Sequence, residues 1–592
     1  MAVQTSNQTD GIELKLTAYH NCDDVQLFWR TGVNGEMDQP IPGCLGFSIE
    51  RRRKNSDGEW GAIEVLRNRV GFSSELPVGA DGSPQYLTKP SNVWPFQRYD
   101  WTDHGANSGQ TVMYRLVAVG APDGEPGEVE LRPLADSGWT EAIKVDALSE
   151  NGISAFFNRG AVMSQYVSRI ARKNNWKAPD IKEHIRELEE PLRRFLAGEL
   201  RIEILRMLDD VIENPELSFY AALYELADDE LIERLRLLRG RAHIVLANGS
   251  DDHGDGNADA RARLRDAEVD VRDRMLPSKR LGHNKFGVVV RTADEHALSA
   301  WSGSTNWAAT GLCTQLNNGI RIEDEELAQL YLDQWNRLAD AENSFPPALL
   351  DANEESPRTV GDVDVWFTPI RNPSSHDPGV DLQALIELVD SAQSVILYVM
   401  FEPGPQPLGT ILLKAQNSDV VVKGVVSTVT SQNEETFKTL GVDREQKVYE
   451  TALIQPEGIV KGFSAWVAEV TRQQFLFPPQ HPGIGHAITH AKMIVIDPFS
   501  DDCKVITGSH NFSKAASQKN DENFLVIRGN RALAEAYAVA CLSTYEHYRW
   551  RAYVKEKSIA NEPVWDHLSA SADWQDECLS DEVKQTLALW CP

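Results

Sequence analysis

Apolar positions along the chain fall into short runs of two kinds. Over residues 1–146 they form brief strand-like segments at 12–18, 25–30, 46–52, 111–120 and 141–145, separated by turn-rich stretches, a spacing that predicts an all-β sandwich. Further on, Val/Ile/Tyr-rich runs alternate with amphipathic segments such as 228–238, as an α/β arrangement requires. Lys285-Phe-Gly-Val-Val-Val290 and Lys492-Met-Ile-Val-Ile496 are almost continuously apolar, which suits sheet strands buried on both faces. Residues 151–214 read as helical, with Leu188, Leu192, Phe195 and Leu196 on one stripe facing a core.

The α/β region repeats itself. Residues 303–322 align without a gap on 508–527, which sets Asn318 on Asn523 and Asn317 on Glu522. Upstream, Phe219-Tyr-Ala-Ala-Leu-Tyr-Glu225 matches Ile396-Leu-Tyr-Val-Met-Phe-Glu402. His283-Asn-Lys285 precedes Gly303-Ser-Thr-Asn306, and His490-Ala-Lys492 precedes Gly508-Ser-His-Asn511. The duplication predicts two α/β halves about a pseudo-twofold axis, each giving one His-Lys pair to a shared cleft.

Those residue types suit phosphodiester chemistry. Neutral imidazole can attack phosphorus and form a covalent phosphohistidine, and a second, protonated imidazole can give its proton to the leaving oxygen. Lys285 and Lys492 supply positive charge, and Ser304, Asn306, Ser509 and Asn511 can donate hydrogen bonds to the non-bridging oxygens. This set calls for no metal ion and no cofactor. Glu522 can accept a hydrogen bond from a histidine ring nitrogen and fix its tautomer.

In these motifs the chain resembles the phospholipase D superfamily, whose signature is His-x-Lys, four residues, Asp, and a downstream Gly-Ser-x-Asn. The resemblance covers roughly residues 150–555. The second copy fits fully, with Asp497 in register as structural support and Asn520-x-Glu522 following as in nuclease-like members. The first copy departs from it: Val290 stands at the Asp position and Asn317 at the Glu position, with Asp294 four residues beyond Val290. The resemblance implies duplicated α/β/α sandwich halves, with His283 as nucleophile and His490 as general acid. Because only the second copy keeps its Glu, the reverse assignment stays open. In the N-terminal block, Trp29 and Tyr114 resemble the core Trp and corner Tyr of fibronectin type III-like modules.

The implied activity is that of a metal-independent phosphodiesterase, with a lean to nuclease from the second-copy motif. Phospholipase D or phosphatidyltransferase action on phospholipids is the alternative, and a phosphate-binding scaffold weakened by the degenerate first copy is another. A net charge of −29 disfavours broad capture of nucleic acid and adsorption to anionic membranes. The stretch Arg272-Asp-Arg274 through Lys279-Arg280 to Lys285 could still guide a polyanion to the cleft. No apolar run reaches the ~18 residues of a membrane span, and the first residues lack the pattern of a signal peptide, so a cytoplasmic location is expected. Seven widely spaced cysteines fit free thiols in a reducing compartment.

The domains expected are a β-sandwich module at 1–146, a helical segment plus first half at 147–355, a second half at 356–555, and a tail at 556–592 that packs on the body. The N-terminal module could meet a protein partner or an oligomer contact. Residues 427–489 form an insertion, with Phe475-Leu-Phe-Pro-Pro479, that could be a lid or a substrate-selecting wall, although a buried aromatic cluster gives the same pattern; His486, four residues before His490, reads as a bystander in a strand-entry loop. Asp251-Asp-His-Gly-Asp-Gly-Asn257 lacks the Glu of a calcium loop, with Ala262 at the twelfth position, and reads as an acidic loop rather than a metal site.

Overall fold

The strand-forming runs of the N-terminal block assemble into two antiparallel sheets. The structure, a computed structural model, describes the chain outside residues 1, 74–87, 148, 160–169, 171–173, 175, 177–179, 181–182, 250–253, 372–377, 443–451, 455–487, 561 and 563–564. It divides into two compact units, one formed by Met1–Ala147 with Tyr553–Pro592 and the other by Leu148–Glu457 with Gln473–Ala552.

In the first unit, Val3–Thr9, Ile12–His20, Val25–Val33 and Glu36–Met37 follow one another across one sheet, and Arg132–Asp136, Thr111–Gly120, Cys44–Arg53 and Glu64–Val65 across the other. Leu14, Leu16, Trp29, Phe47, Ile49 and Leu116 are fully buried. Tyr114 is buried too, and its hydroxyl donates to Asp103 at 2.8 Å, so the phenol keeps a partner inside the core. The C-terminal segment belongs to this unit. Trp590, at the end of helix Asp581–Trp590, stacks on Phe28 with ring centroids 5.2 Å apart, and its carbonyl accepts from Tyr19 at 2.8 Å.

The second unit contains two sheets of matching order. The first runs Ser149–Glu150, Ile153–Phe157, Asn318–Ile322, His296–Gly303, Lys285–Arg291, Leu217–Leu223, Ala242–Ala247 and Asp270–Arg274. The second runs Arg358–Val360, Val363–Phe367, Asn523–Arg528, Lys504–Gly508, Met493–Ile496, Val395–Met400 and Val421–Val426. Strand for strand the orders coincide, except that Asp270–Arg274 adds an edge to the first. In both, the strand after His-x-Lys pairs antiparallel with the strand that ends two residues before Glu225 or Glu402, and that strand pairs parallel with the next. Phe286, Val288, Val290, Ile494, Val495 and Ile496 are fully buried, in keeping with strands covered on both faces.

Segment 151–214 is not helical throughout. Ile153–Phe157 is a strand paired with Asn318–Ile322, because its apolar Ile, Ala and Phe side chains complete the sheet, and the helix runs over Pro191–Glu213. Leu192 and Leu196 are buried on it, whereas Leu188 lies ahead of it and is 39% exposed.

The halves are joined by a reciprocal polar lock. Asn318 of the first half donates to Thr507 at 2.6 Å and to Tyr537 at 3.0 Å in the second. Asn523 of the second half accepts from Ser302 at 2.6 Å and Tyr331 at 3.3 Å in the first, and donates to Asn284 at 2.8 Å. Ser302 and Thr507 occupy equivalent positions, so one pairing is repeated with donor and acceptor exchanged. All of these side chains but Asn284 are at 0% exposure, and Asn284 is at 2%.

Candidate active site

Each His-x-Lys lies at the entrance of a buried strand, so strand register brings its imidazole to the junction of the halves. The ring centroids of His283 and His490 are 6.4 Å apart, with planes at 72°. That separation leaves room for one phosphorus between them.

The pairing of each ring is crossed between the copies. His283 Nδ1 lies 2.7 Å from Oε2 of Glu522, and His490 Nδ1 lies 2.9 Å from Oδ1 of Asn317. Asn317 Nδ2 donates to the Gly311 carbonyl at 2.8 Å, which turns its oxygen toward His490. An acceptor on each Nδ1 requires a proton there, leaving Nε2 of both rings for chemistry. The Glu of the second copy thus serves the histidine of the first, which the order of motifs along the chain conceals.

Ser304 and Ser509, expected on phosphate oxygens, hydrogen-bond to the residues that face the histidines. Ser304 Oγ donates to Asn317 Oδ1 at 2.8 Å and accepts from the Asn318 amide at 3.0 Å. Ser509 Oγ donates to Glu522 Oε2 at 2.9 Å and accepts from the Asn523 amide at 3.1 Å. A hydroxyl has one proton to give, and in both serines it is directed at the residue that faces a histidine. The preceding glycines allow this closeness: a Cβ at Gly303 would lie 2.4 Å from the Asn318 carbonyl, and one at Gly508 2.3 Å from that of Asn523. Asn306 donates through Nδ2 to Glu225 at 2.7 Å and retains a second amide proton. The Oδ1 atoms of Asn306 and Asn511 are buried without a hydrogen-bond partner among the described residues.

The lysines are placed alike. Lys285 donates to the His283 carbonyl at 2.8 Å, and Lys492 to the His490 carbonyl at 2.6 Å. Lys285 lies 4.9 Å from the Tyr224 ring centre and Lys492 5.1 Å from that of Phe401, within cation–π range. Tyr224 and Phe401, followed by Glu225 and Glu402, are further members of the site. Their signal was the ungapped match of 219–225 with 396–402.

Burial, only partly opposed by Glu522, lowers His283 to about 4, with Lys285 and Lys492 adding to the fall. Burial lowers Lys285 to about 7 against the pull of Glu522 and Glu225. His490 is held well below its ordinary value by burial and by Lys492, Lys285 and His283, and Lys492 by burial and Lys285. Burial acts to raise Glu522, but His283 and Lys285 keep it below the usual carboxylate range. A phosphodiester anion seated against the lysines would relieve the repulsion among these cations.

Asp497 stands away from this chemistry. Its carboxylate accepts from the backbone amides of Gln393, Ser394 and Val395 at 2.8, 2.7 and 2.9 Å and fixes the start of Val395–Met400. Its counterpart Val290 is buried, and Asp294 pairs with Arg291 at the surface, so Asp294 does not substitute for it. Cys313 is buried, which pushes its thiol up to about 12, out of range for a nucleophile. Asn257 ties Leu226, Tyr224 and Ala247 together through their backbone, while 250–253 of the acidic loop, Phe475-Leu-Phe-Pro-Pro479 and His486 lie outside the described residues.

Residues 385–540 match the family model described as the phospholipase D-like domain of cardiolipin synthase. No curated protein matches the chain. Among solved structures, it is similar to polyphosphate kinase from Porphyromonas gingivalis, at 12% identity and a TM-score of 0.35 over 55% of this chain, and spans 45% of that kinase. Nuc from Salmonella typhimurium, a phospholipase D family member, is 21% identical with a TM-score of 0.20 over 32% of this chain and 94% of its own. Phosphatidylserine synthase from Haemophilus influenzae Rd KW20 is 12% identical with a TM-score of 0.38 over 61% of this chain and 91% of its own. No helix among the described residues is long and apolar enough to cross a membrane.

Proposed function

We propose that the chain is a metal-independent phosphodiesterase of the phospholipase D type, with His283 as nucleophile and His490 as general acid. The observation that carries this reading is the crossed pairing of two imidazoles 6.4 Å apart, one on a carboxylate and one on an amide. Nε2 of His283 attacks phosphorus as the bond to the leaving oxygen breaks, and Nε2–H of His490 protonates that oxygen. The N-phosphorylated imidazole becomes cationic, and Glu522 faces its Nδ1–H. Water then attacks phosphorus, His490 takes its proton, and the P–N bond breaks to restore neutral His283.

The unequal partners support the division of labour. A carboxylate raises the basicity of its imidazole and stabilises its cation, which suits the group that bonds to phosphorus. A neutral amide leaves His490 the stronger acid once protonated, which suits the proton donor. Lys285, Lys492, Asn306 and Asn511 are proposed to receive the non-bridging oxygens.

The basic stretch expected to guide a polyanion contributes less than its composition implies, since Arg272 pairs with Asp270 and Arg274 with Asp521. The test is turnover of labelled single-stranded DNA and of phosphatidylcholine vesicles in excess chelator, with trapping of the acid-labile phosphohistidine by an alkaline denaturing quench. Turnover of either, lost in His283→Ala and His490→Ala, is the expected result and identifies the substrate class. Turnover that survives both variants, or that needs a divalent metal, overturns the reading.

A further inference from the structure

We propose that Arg274 and Asp521 form a strut between the halves that holds Glu522 against His283, and so are positioning residues for the reaction proposed above. Arg274 ends the edge strand that the second sheet does not share, and both side chains are 1% exposed. Arg274 Nε donates to Asp521 Oδ2 at 2.8 Å and Nη2 to Oδ1 at 3.0 Å. Nη1 donates to the carbonyls of Ser344, at 2.8 Å, and Glu342, and Phe345 lies 5.4 Å from the guanidinium. The fork is therefore occupied within the protein and does not serve as a substrate contact.

The strut lies beside the junction that sets the site. The Asp521 amide donates to the Leu281 carbonyl at 2.8 Å, and Asn520 Oδ1 accepts from the Leu281 amide at 3.2 Å. Residues 281–283 thus run alongside 520–522 and end on His283 and Glu522. Gly282 fits between, where a Cβ would lie 3.0 Å from Ala247 Cβ and 3.2 Å from Arg274 Cγ.

The other copy has the same junction without the strut. Gln315–Leu316 pairs parallel with Ile488–Thr489 ahead of His490, and the residue equivalent to Asp521 is Leu316. The difference follows the partners. Asn317 is short and pinned through Gly311, whereas Glu522 has a longer side chain with one more torsion, held at Oε2 by Ser509 and at Oε1 by Asn520, so the backbone of 520–522 must be fixed for the carboxylate to stay on Nδ1.

The proposal rests on the phosphodiesterase reading and is tested by Asp521→Asn and Arg274→Lys, assayed with bis(p-nitrophenyl) phosphate in excess chelator beside Glu522→Gln and the Asp521→Asn/Glu522→Gln double variant. Loss of the strut is expected to lower kcat by roughly 10- to 100-fold with KM within about twofold of wild type. Loosening Glu522 destabilises the His283 imidazolium, so the acid limb of the kcat profile moves to lower pH, as in Glu522→Gln. Because both act through one carboxylate, adding Asp521→Asn to Glu522→Gln costs less than about twofold more. A lowered melting point with wild-type kcat and acid limb, or effects that multiply in the double variant, overturns the strut. The downfield Nδ1 proton of His283 in ring-15N-histidine-labelled full chain, assigned with His283→Ala, supplies a readout independent of turnover. If no substrate turns over, the phosphodiesterase reading fails, and this proton decides the strut alone: displaced in both strut variants it stands, unmoved it falls.

Discussion

His283 Nδ1 lies 2.7 Å from the carboxylate of Glu522, and the related nitrogen of His490 lies 2.9 Å from the amide of Asn317. The halves thus exchange partners, and the substitution that made the first copy look degenerate alters the histidine of the second. An amide cannot neutralise an imidazolium as a carboxylate can, so Asn317 leaves His490, already lowered by burial and by Lys492, Lys285 and His283, without the counter-charge that His283 has.

Asn317→Glu is therefore expected to raise the pKa of His490. A more basic His490 keeps its proton to higher pH, so the alkaline limb of the kcat profile moves upward. It is also a weaker acid toward the leaving group, so kcat at the optimum falls, by about tenfold for poor leaving groups and less for p-nitrophenolate. Comparing substrates of different leaving-group pKa checks both points. An unmoved alkaline limb would remove His490 from the general-acid role.

The serines and glycines of Gly-Ser-x-Asn are expected to act through the partners rather than through the phosphate. Ser509→Ala removes one hydrogen bond to Glu522 and leaves the Asn523 amide without its acceptor, at a cost of about 1–3 kcal/mol. Gly508→Ala forces a methyl to within 2.3 Å of the Asn523 carbonyl and is expected to cost at least about 1–3 kcal/mol, because backbone must move. Urea unfolding measures both. A Ser509→Ala variant with wild-type stability and a raised KM would return that serine to the phosphate.

What could be read in the sequence was set by periodicity and repetition. The buried strands following His283 and His490 were legible because their apolar runs are continuous, and the halves because 303–322 and 508–527 align without a gap. The crossing of partners was not legible, since which half a side chain faces is a property of packing rather than spacing. The partners of the Ser304 and Ser509 hydroxyls, Asn317 and Glu522, are not legible for the same reason: spacing does not say which acceptor a hydroxyl meets. The strand Ile153–Phe157 is not legible beside a helical stretch, because only its pairing with Asn318–Ile322 reveals it. Arg274 looked like part of a basic track, and its partner Asp521 is far away along the chain.

Stability is expected to rise with pH in two windows. His283 is near 4 in the folded chain against an ordinary 6.5, so between those values the unfolded chain binds a proton that the folded chain refuses, and stability falls as pH falls. Lys285 is near 7 against 10.5, so the same sign holds from 7 to 10.5. His283→Gln is expected to flatten the first window and Lys285→Met the second, in melting curves taken across pH. A slope unchanged in both variants would mean that other groups control it.

Binding of an anion should draw protons into the site. Two imidazoles and two lysines buried around one carboxylate are held below their ordinary pKa values by burial, reinforced at His283, His490 and Lys492 by neighbouring cations. A tetrahedral oxyanion placed between them favours every cationic form, so inorganic phosphate or tungstate should bind with net proton uptake near pH 7–8. Calorimetry in buffers of different ionisation enthalpy reads that uptake directly. The same anion should raise the melting point, by an amount equivalent to about 2.7 kcal/mol at one hundred times its Kd. Lys492→Met should remove part of the uptake as well as affinity, whereas Arg272→Met, at a cation already paired with Asp270, should alter neither. Binding without proton uptake would indicate that the lysines are already charged in the free protein, and the site would then attract phosphate through permanent charge instead of through protons taken up with it.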